Sequence, residues 1–425
     1  MMLDVFIHKL KIIATDTAIR NRILFVLGAL LIFRGLAAVP IPGVDIAVLD
    51  QFFQNNQFLG LLNIFSGGGL ANLSLVMLGV GPFITSSIIM QLLTVMSPKL
   101  KALYSEEGET GRAKFTQYSR QLMLPLAVLQ AFGFLSLLQN QGVITGLSTF
   151  QFIVNVIIVA AGSVLLMWIG ELVTEYGIGN GVSIIIFAGI VASLPSKVSH
   201  LIFNFTSSQI PLYAGFTAFA LVVILGVVVM TQAERQVPIT YAKRVRGNQT
   251  YGGTTSYLPL RLNQAGVIPI IFALSIILFP QMLLNILSTF NLASVSTISE
   301  TLLGFFNNLK LYAAVYFVLV LLFTFFYTAV TFDPEAISKN LQRNGAFIPG
   351  IRPGTHTSEY LGKLITRLTL VGAVFLGIIA VLPIGMQIIT NVSSLAIGGT
   401  ALLIAVSVII DIVRRVDSQV SLREY

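Results

Sequence analysis

The chain has no cysteine in its 425 residues. That excludes a disulfide scaffold, a thiolate metal site and a cysteine nucleophile. Histidine is nearly absent too. His8, His200 and His356 lie far apart, and none falls in HExxH or another ligand spacing, so the sequence holds no zinc pattern. There is no GxxxxGK[ST] phosphate loop and no GxSxG elbow, which leaves no nucleotide-hydrolysing or acyl-transfer machinery to point to. No cofactor and no catalytic residue are expected, and any energy source is expected to belong to a partner.

Charge is the scarcest resource. Asp, Glu, Lys and Arg make up 10% of the chain and hydrophobic residues 55%, whereas a soluble globular chain is roughly 25% charged. So little charge cannot cover a water-facing surface. The apolar residues come in blocks of about 20, the length that crosses a bilayer core. Lipid is therefore the solvent for most of this chain, and helices that satisfy their own backbone are the expected elements.

Ten spans are expected, near 22–41, 74–96, 118–139, 151–173, 182–202, 212–231, 264–284, 310–331, 364–384 and 395–415. Pro82, Pro125, Pro269, Pro280 and Pro383 fall within or beside them; neighbouring helices can satisfy the carbonyls that these prolines free. Residues 1–20 interleave Val5, Phe6, Leu10 and Ile13 with Lys9 and Lys11, a pattern suited to a helix lying on the membrane surface. No small-residue cleavage site follows the first apolar run, so a cleavable signal is not expected.

Orientation follows from Lys and Arg. Of 25 such residues, all but Arg34, Lys197 and Lys310 fall on one face, in 1–22, 99–120, 235–261, 339–367 and 414–423. That face is expected to be cytoplasmic, which with ten spans puts both termini inside. Two of its loops, 232–262 and 332–362, are long and basic. In the first, Val237 to Val245 reads as a strand, Gly247-Asn248 as a turn and the stretch to Leu260 as a second strand, which together make a protruding hairpin. Such loops serve topology, and they also suit docking to an acidic protein or to ribosomal RNA.

Residues 58–73, FLGLLNIFSGGGLANL, are apolar but too short to cross, and three glycines interrupt them. They fit a half-helix folded back into a cavity and equally an external loop. Span interiors carry almost no ionisable groups; Glu171, Glu175 and Asp411 sit at span ends. Coupled transporters keep such groups at the midplane, so this absence weighs against coupled solute transport and leaves carriers of neutral solutes open. The unwound candidate for such a carrier, Gly177, Gly179 and Gly181 in YGIGNGVS, lies at the cytoplasmic mouth. A membrane-embedded enzyme finds no constellation to support it.

Several segments carry a family resemblance. They are VPIPGVD (39–45), NIFSGGGL (63–70), GPFITSSIIMQLL (81–93), EEGETGRAKFTQYSR (106–120), GELVTEYGIGNGVSIIIFAGIV (170–191), YAKRVRG (241–247), LPLRLNQAGVIPIIFA (258–273), GAFIPGIRPG (345–354) and TRLTLVGA (366–373). In these the chain resembles the SecY family of protein translocation channels, in family order and over nearly its whole length.

The resemblance implies an all-α integral membrane protein with ten transmembrane helices. They would form two pseudo-symmetric five-helix halves, 1–202 and 203–425, around an hourglass pore. The waist carries over as Val80, Ile84, Val182, Ile186, Ile271 and Ile404; a narrow apolar ring dewets and blocks ions without any charge. Val80 and Val182 are smaller than the family's isoleucine, which shifts more of the seal to the plug. The plug itself carries over as Asn63, Ile64, Phe65, Ser66, Gly67, Gly68, Gly69 and Leu70 within 58–73. A lateral gate of the second, third, seventh and eighth spans would include Thr85, Gln130 and Asn263. Docking of the motor SecA and of the ribosome would use Lys243, Arg244, Arg246 and Arg352, where arginine can grip carboxylate or phosphate with two parallel hydrogen bonds. The further partners implied are SecE-like and SecG-like small membrane subunits, signal peptides of precursors and membrane lipid, in a bacterial plasma membrane. A polytopic small-solute transporter is the competing reading.

Overall fold

The computed structural model of the chain describes residues 15–43, 66–203 except 67, 71, 106, 141 and 145, 210–289 except 243, 247–248 and 252–254, 308–390, and 398–421. Most of the surface helix expected over 1–20 lies outside the described residues.

Among the described residues, ten long helices overlap the ten expected spans. They are α1 (Thr17–Ala38), α2 (Gly81–Met96), α4 (Gly108–Asn140), α5 (Thr149–Tyr176), α6 (Gly181–Phe203), α7 (Ile210–Gln232), α8 (Ile268–Thr289), α9 (Leu309–Thr331), α11 (Thr355–Thr390) and α12 (Gly398–Ser421). Two short helices, α3 (Pro98–Ser105) and α10 (Pro334–Arg343), fill connections. Among the described residues, stretches on α1, α4, α5, α9 with α10, and α11 are long and apolar enough to cross a membrane on their own.

Local chemistry sets the helix ends. Asp16 caps α1 by accepting from the backbone N–H of Ala18 and Ile19, and Ser148 and Gln151 form a reciprocal capping box on α5. Prolines stop helices from outside. Val39 precedes Pro40 and Ser97 precedes Pro98, and both adopt extended backbone, because the proline ring disfavours the helical region for the residue before it. That is why α2 and α3 meet at a bend of 117°.

The expected second span begins too early. Residues 74–80 are turns, and the helix starts at Gly81 with Pro82 in its first turn, where a missing N–H costs nothing. Helices α4 and α11 extend beyond the expected spans 118–139 and 364–384.

By packing, the chain forms two units. One holds 1–213, 275–307 and 392–425, and the other 214–274 and 308–391. In the first, α4 packs on α2, α3 and α5, α5 also on α1 and α6, and α6 on α12. In the second, α9 and α10 pack on α11 beside a small sheet.

Where lipid is the solvent, burying an apolar side chain gains little, so close packing and satisfied backbone carry the cohesion. Glycines mark the close approaches. A Cβ at Gly162 of α5 would stand 2.0 Å from the Leu75 carbonyl oxygen, and one at Gly181 would stand 1.9 Å from that of Gly170. In the second unit, Cβ atoms at Gly372 and Gly377 of α11 would come within 2.7 Å of the Leu262 carbonyl and the Phe317 ring.

The sheet joins the two basic loops. Strand β1 (Glu234–Tyr241) pairs antiparallel with β4 (Thr255–Arg261) on one side and with β5 (Ala346–Phe347) on the other. Inside this hairpin β2 (Arg244–Arg246) pairs with β3 (Gln249–Tyr251) in the same continuing register, Arg246 opposite Gln249. The expected hairpin is present; its expected turn, Gly247-Asn248, lies outside the described residues.

Candidate channel lining, gate and docking face

The six waist candidates share one placement: each lies in the first two turns of its helix or at its start. Val80 is the N-cap of α2, and Ile84 sits one turn on, its backbone N–H donating to the Val80 carbonyl at 3.1 Å. Val182 and Ile186 repeat that spacing on α6, Ile271 is the fourth residue of α8, and Ile404 is the seventh of α12. All but Val182 are buried. Val182 is half-buried and packs toward α5, where a Cβ at Gly170 would stand 3.3 Å from its Cγ2. The packing of α12 on α6 brings the helices of Ile404, Val182 and Ile186 together. Ile271 belongs to the second unit.

Of the plug candidates, Ser66, Gly68, Gly69 and Leu70 are described, and Asn63, Ile64, Phe65 and Gly67 lie outside the described residues. The half-helix expected over 58–73 can therefore be followed only at its end. There the backbone turns rather than coils.

The described residues of 66–80 form an irregular path, several of whose polar groups find partners within the protein. Ser66 Oγ accepts from Leu70 N–H at 3.0 Å, and Ser74 Oγ donates to the Gly69 carbonyl at 2.9 Å. The N–H groups of Ile41 and Leu75 donate to the carbonyls of Leu73 and Val39 at 2.9 and 3.0 Å. Apolar side chains close over it: Leu70, Leu73 and Met77 share one cluster with Phe134, Leu135 and Leu138 of α4 and with Val156 and Val159 of α5. Non-helical backbone at membrane depth is tolerated only when enclosed in this way or lining a water-filled cavity.

The gate candidates are polar groups among apolar neighbours. Thr85 Oγ1 donates to the Gly81 carbonyl at 3.0 Å, and Gln130 of α4 is buried. Asn263, just before α8, donates its Nδ2 to the Gly266 carbonyl at 3.1 Å, while its Oδ1 is buried with no hydrogen-bond partner. Gln91 of α2 presents the same feature at Oε1 and was missed in the sequence; the signal was a lone amide in the apolar run SIIMQLL.

The docking candidates divide. Arg352 is exposed on the loop between β5 and α11, flanked by Gly350 and Gly354 at positive φ. Its carbonyl accepts from Thr357 Oγ1 at 2.9 Å, and the Gly354 carbonyl accepts from Ser338 Oγ at 2.6 Å. Arg244 and Arg246 lie on β2, and Lys243 lies outside the described residues. Beneath this face Val237, Leu260, Ile348, Leu361 and Ile365 form a small core. The sequence did not reveal that β5 would join β1, since two residues carry no strand signal of their own.

The expected unwound segment is a closed joint. Gly181 N–H donates to Thr174 Oγ1 at 2.8 Å, Gly179 takes φ +97, and Ile178 packs against Ile19 of α1 and Val420 of α12.

A family model described as SecY matches residues 74–413. This chain belongs to the SecY family. A protein translocase subunit SecY of Mycobacterium bovis is 40% identical over 445 aligned residues, covering 100% of this chain and 99% of its own. The SecY subunit of Vibrio cholerae is 41% identical over 415, covering 96% and 93%. Among solved structures, one described as a protein-conducting channel has a TM-score of 0.66 at 18% identity, and a canine Sec61 from a ribosome-channel complex has 0.63 at 17%; each covers 95% of this chain and 93% of its own. A third, on the SecY plug domain and its stabilisation of the closed, sealed state, has 0.65 at 18%. These likenesses show the fold: a mostly helical membrane protein of the SecY type. SecY is a translocase channel subunit, and its family is not one of enzymes.

Proposed function

We propose that the chain forms the channel through which unfolded secretory polypeptides cross the plasma membrane, and from which apolar segments leave sideways into lipid. The observation that carries the reading is the full-length relation to translocase subunits. The enclosed path over 66–80 supports it, because it runs directly into Val80 and Ile84.

In this reading the halves 1–202 and 203–425 face each other across the pore. Val80, Ile84, Val182, Ile186, Ile271 and Ile404 make its waist, and residues 63–70 plug it from outside. Aliphatic side chains seal a narrow pore by dewetting and offer a passing chain no polar partner to hold it. The gate turns on weak polar contacts at Thr85, Gln130 and Asn263, worth about 0.6–2 kcal/mol each in lipid. That holds a gate shut, and an apolar signal helix can still displace it. The unpartnered Oδ1 of Asn263 supports this assignment, since a buried acceptor without a donor favours rearrangement.

Both termini and the sheet face the cytoplasm, as the Lys and Arg bias directs. Arg244, Arg246, Lys243 and Arg352 receive the SecA motor or the ribosome, which supply the energy; a ribosome complex of the canine relative supports the second. SecE-like and SecG-like subunits complete the assembly.

The test uses the absence of cysteine. A single cysteine at Ile271, with a precursor stalled midway that carries its own, should form a disulfide that depends on motor and ATP. A cysteine on a lipid-facing position such as Leu225 should not. No cross-link at Ile271 despite proven stalling would overturn the waist.

A further inference from the structure

Arg34 stands in α1, four residues before its end at Ala38, about 6 Å along the axis. A guanidinium stays charged at any pH a protein meets, and an ionisable residue in a span calls for an explanation. No carboxylate supplies one: among the described residues, none of the ion pairs includes Arg34.

What lies beside it is the glycine turn. Gly68 takes φ +83, and a Cβ built there would stand 3.5 Å from Arg34 Nη1 and 3.6 Å from the Gly189 carbonyl oxygen of α6. The bare glycine thus leaves room for the guanidinium and the Gly189 carbonyl of α6 beside its own backbone. The same end of α1 is stitched to the residues that follow: Asn72 Nδ2 donates to the Ala37 carbonyl at 3.3 Å, and Leu75 N–H donates to that of Val39 at 3.0 Å. One turn of α1 therefore carries both the strap for 72–75 and the cation on the turn at Gly68.

We infer that Arg34 is a positioning residue that seats the plug. Its exposed guanidinium stands beside the turn at Gly68, and its charge attracts the peptide dipoles there and so sets how readily the idle channel opens. This rests on reading 63–70 as the plug. Lysine keeps the charge but lacks the planar fork of donors, so it should seat the turn less well.

The experiment measures ion conductance of the idle channel in planar bilayers, with the full chain purified together with its associated membrane subunits and no precursor present. Deletion of residues 63–70 is the reference leak. Arg34→Leu should raise the open probability roughly tenfold, the factor for losing about 1.4 kcal/mol. Arg34→Lys should fall between, and Arg34→Leu added to the deletion should change nothing further. A leaking deletion with a tight Arg34→Leu channel overturns the inference and leaves the plug intact as a reading. Leak that adds to the deletion also overturns it, because Arg34 then acts elsewhere. A tight deletion channel sinks the plug reading and the inference with it. If Arg34→Leu does not assemble, Arg34→Gln, of similar size and uncharged, enters the same comparisons.

Discussion

Gly162 shows how little room a membrane interior leaves at the scale of one residue. A methyl there would stand 2.0 Å from the Leu75 carbonyl oxygen, a rigid backbone atom that cannot swing aside. Overpacking of this kind costs typically 1–3 kcal/mol, and a backbone clash belongs at about the upper end. Gly162→Ala should therefore lower the unfolding midpoint in detergent and reduce accumulation, whereas Gly28→Ala, which meets nothing within 4 Å, should leave both unchanged. Asn263 makes the opposite case. Replacing it with Leu removes one hydrogen bond to Gly266, worth about 0.5–1.5 kcal/mol, and also removes a buried acceptor that costs about 1–3 kcal/mol unpaired. Asn263→Leu should leave the fold as stable as before or more stable by about 1 kcal/mol, while slowing the insertion of signal peptides. Strong destabilisation in a thermal melt would show that Oδ1 has a partner in the membrane. Neither result was legible in the sequence. One glycine in AAGSV looks like many others, and although the family resemblance marks Asn263 as a gate position, only its neighbours in space show its Oδ1 without a partner.

At the scale of elements, the basic hairpin was legible because its period, its turn residues and its register are local. Its attachment was not. Strand β5 has two residues, Ala346 and Phe347, and meets β1 from about a hundred positions away in the chain. On the cytoplasmic placement proposed for this sheet, the small core under it faces water rather than lipid, so burial there contributes directly, about 1.5–3 kcal/mol for each large side chain fully covered. Val237, Leu260, Ile348, Leu361 and Ile365 all take part. This separates tip from base. Replacing 243–254 with a two-residue turn should leave the β4-β1-β5 sheet resistant to protease and abolish motor-driven precursor import. Val237→Asp should expose the same region to cleavage. Loss of protease resistance in the tip deletion would show that the tip holds the sheet together.

For the whole molecule the governing facts are a net charge of +8 and its uneven placement. Single cysteines at exposed Tyr257 and at Lys310 should react with an impermeant thiol reagent from opposite sides of the membrane, Tyr257 from the cytoplasmic side. Reaction from one side only would remove a span from the count. Binding of ribosomes to the reconstituted chain should weaken steeply as salt rises, because phosphate contacts release counterions. Arg352→Glu should weaken binding and flatten that dependence, and should block motor-driven import while the protein still folds. Normal import with this variant would end the assignment of Arg352.

The sequence by itself determined that this chain is a mostly helical membrane protein, with long apolar segments separated by basic loops. Those are local consequences: a helix in lipid must satisfy its own backbone, so length, apolarity and flanking charge suffice. Tertiary structure alone decided the path of 66–80, the joining of two distant loops through β5, the closed joint at 177–181 and the placing of Gly68 against Arg34. Each depends on which atom of a remote segment comes within a few ångströms. Where apolar solvent removes most of the hydrophobic drive, that choice falls to close packing and hydrogen bonds between elements far apart in the chain.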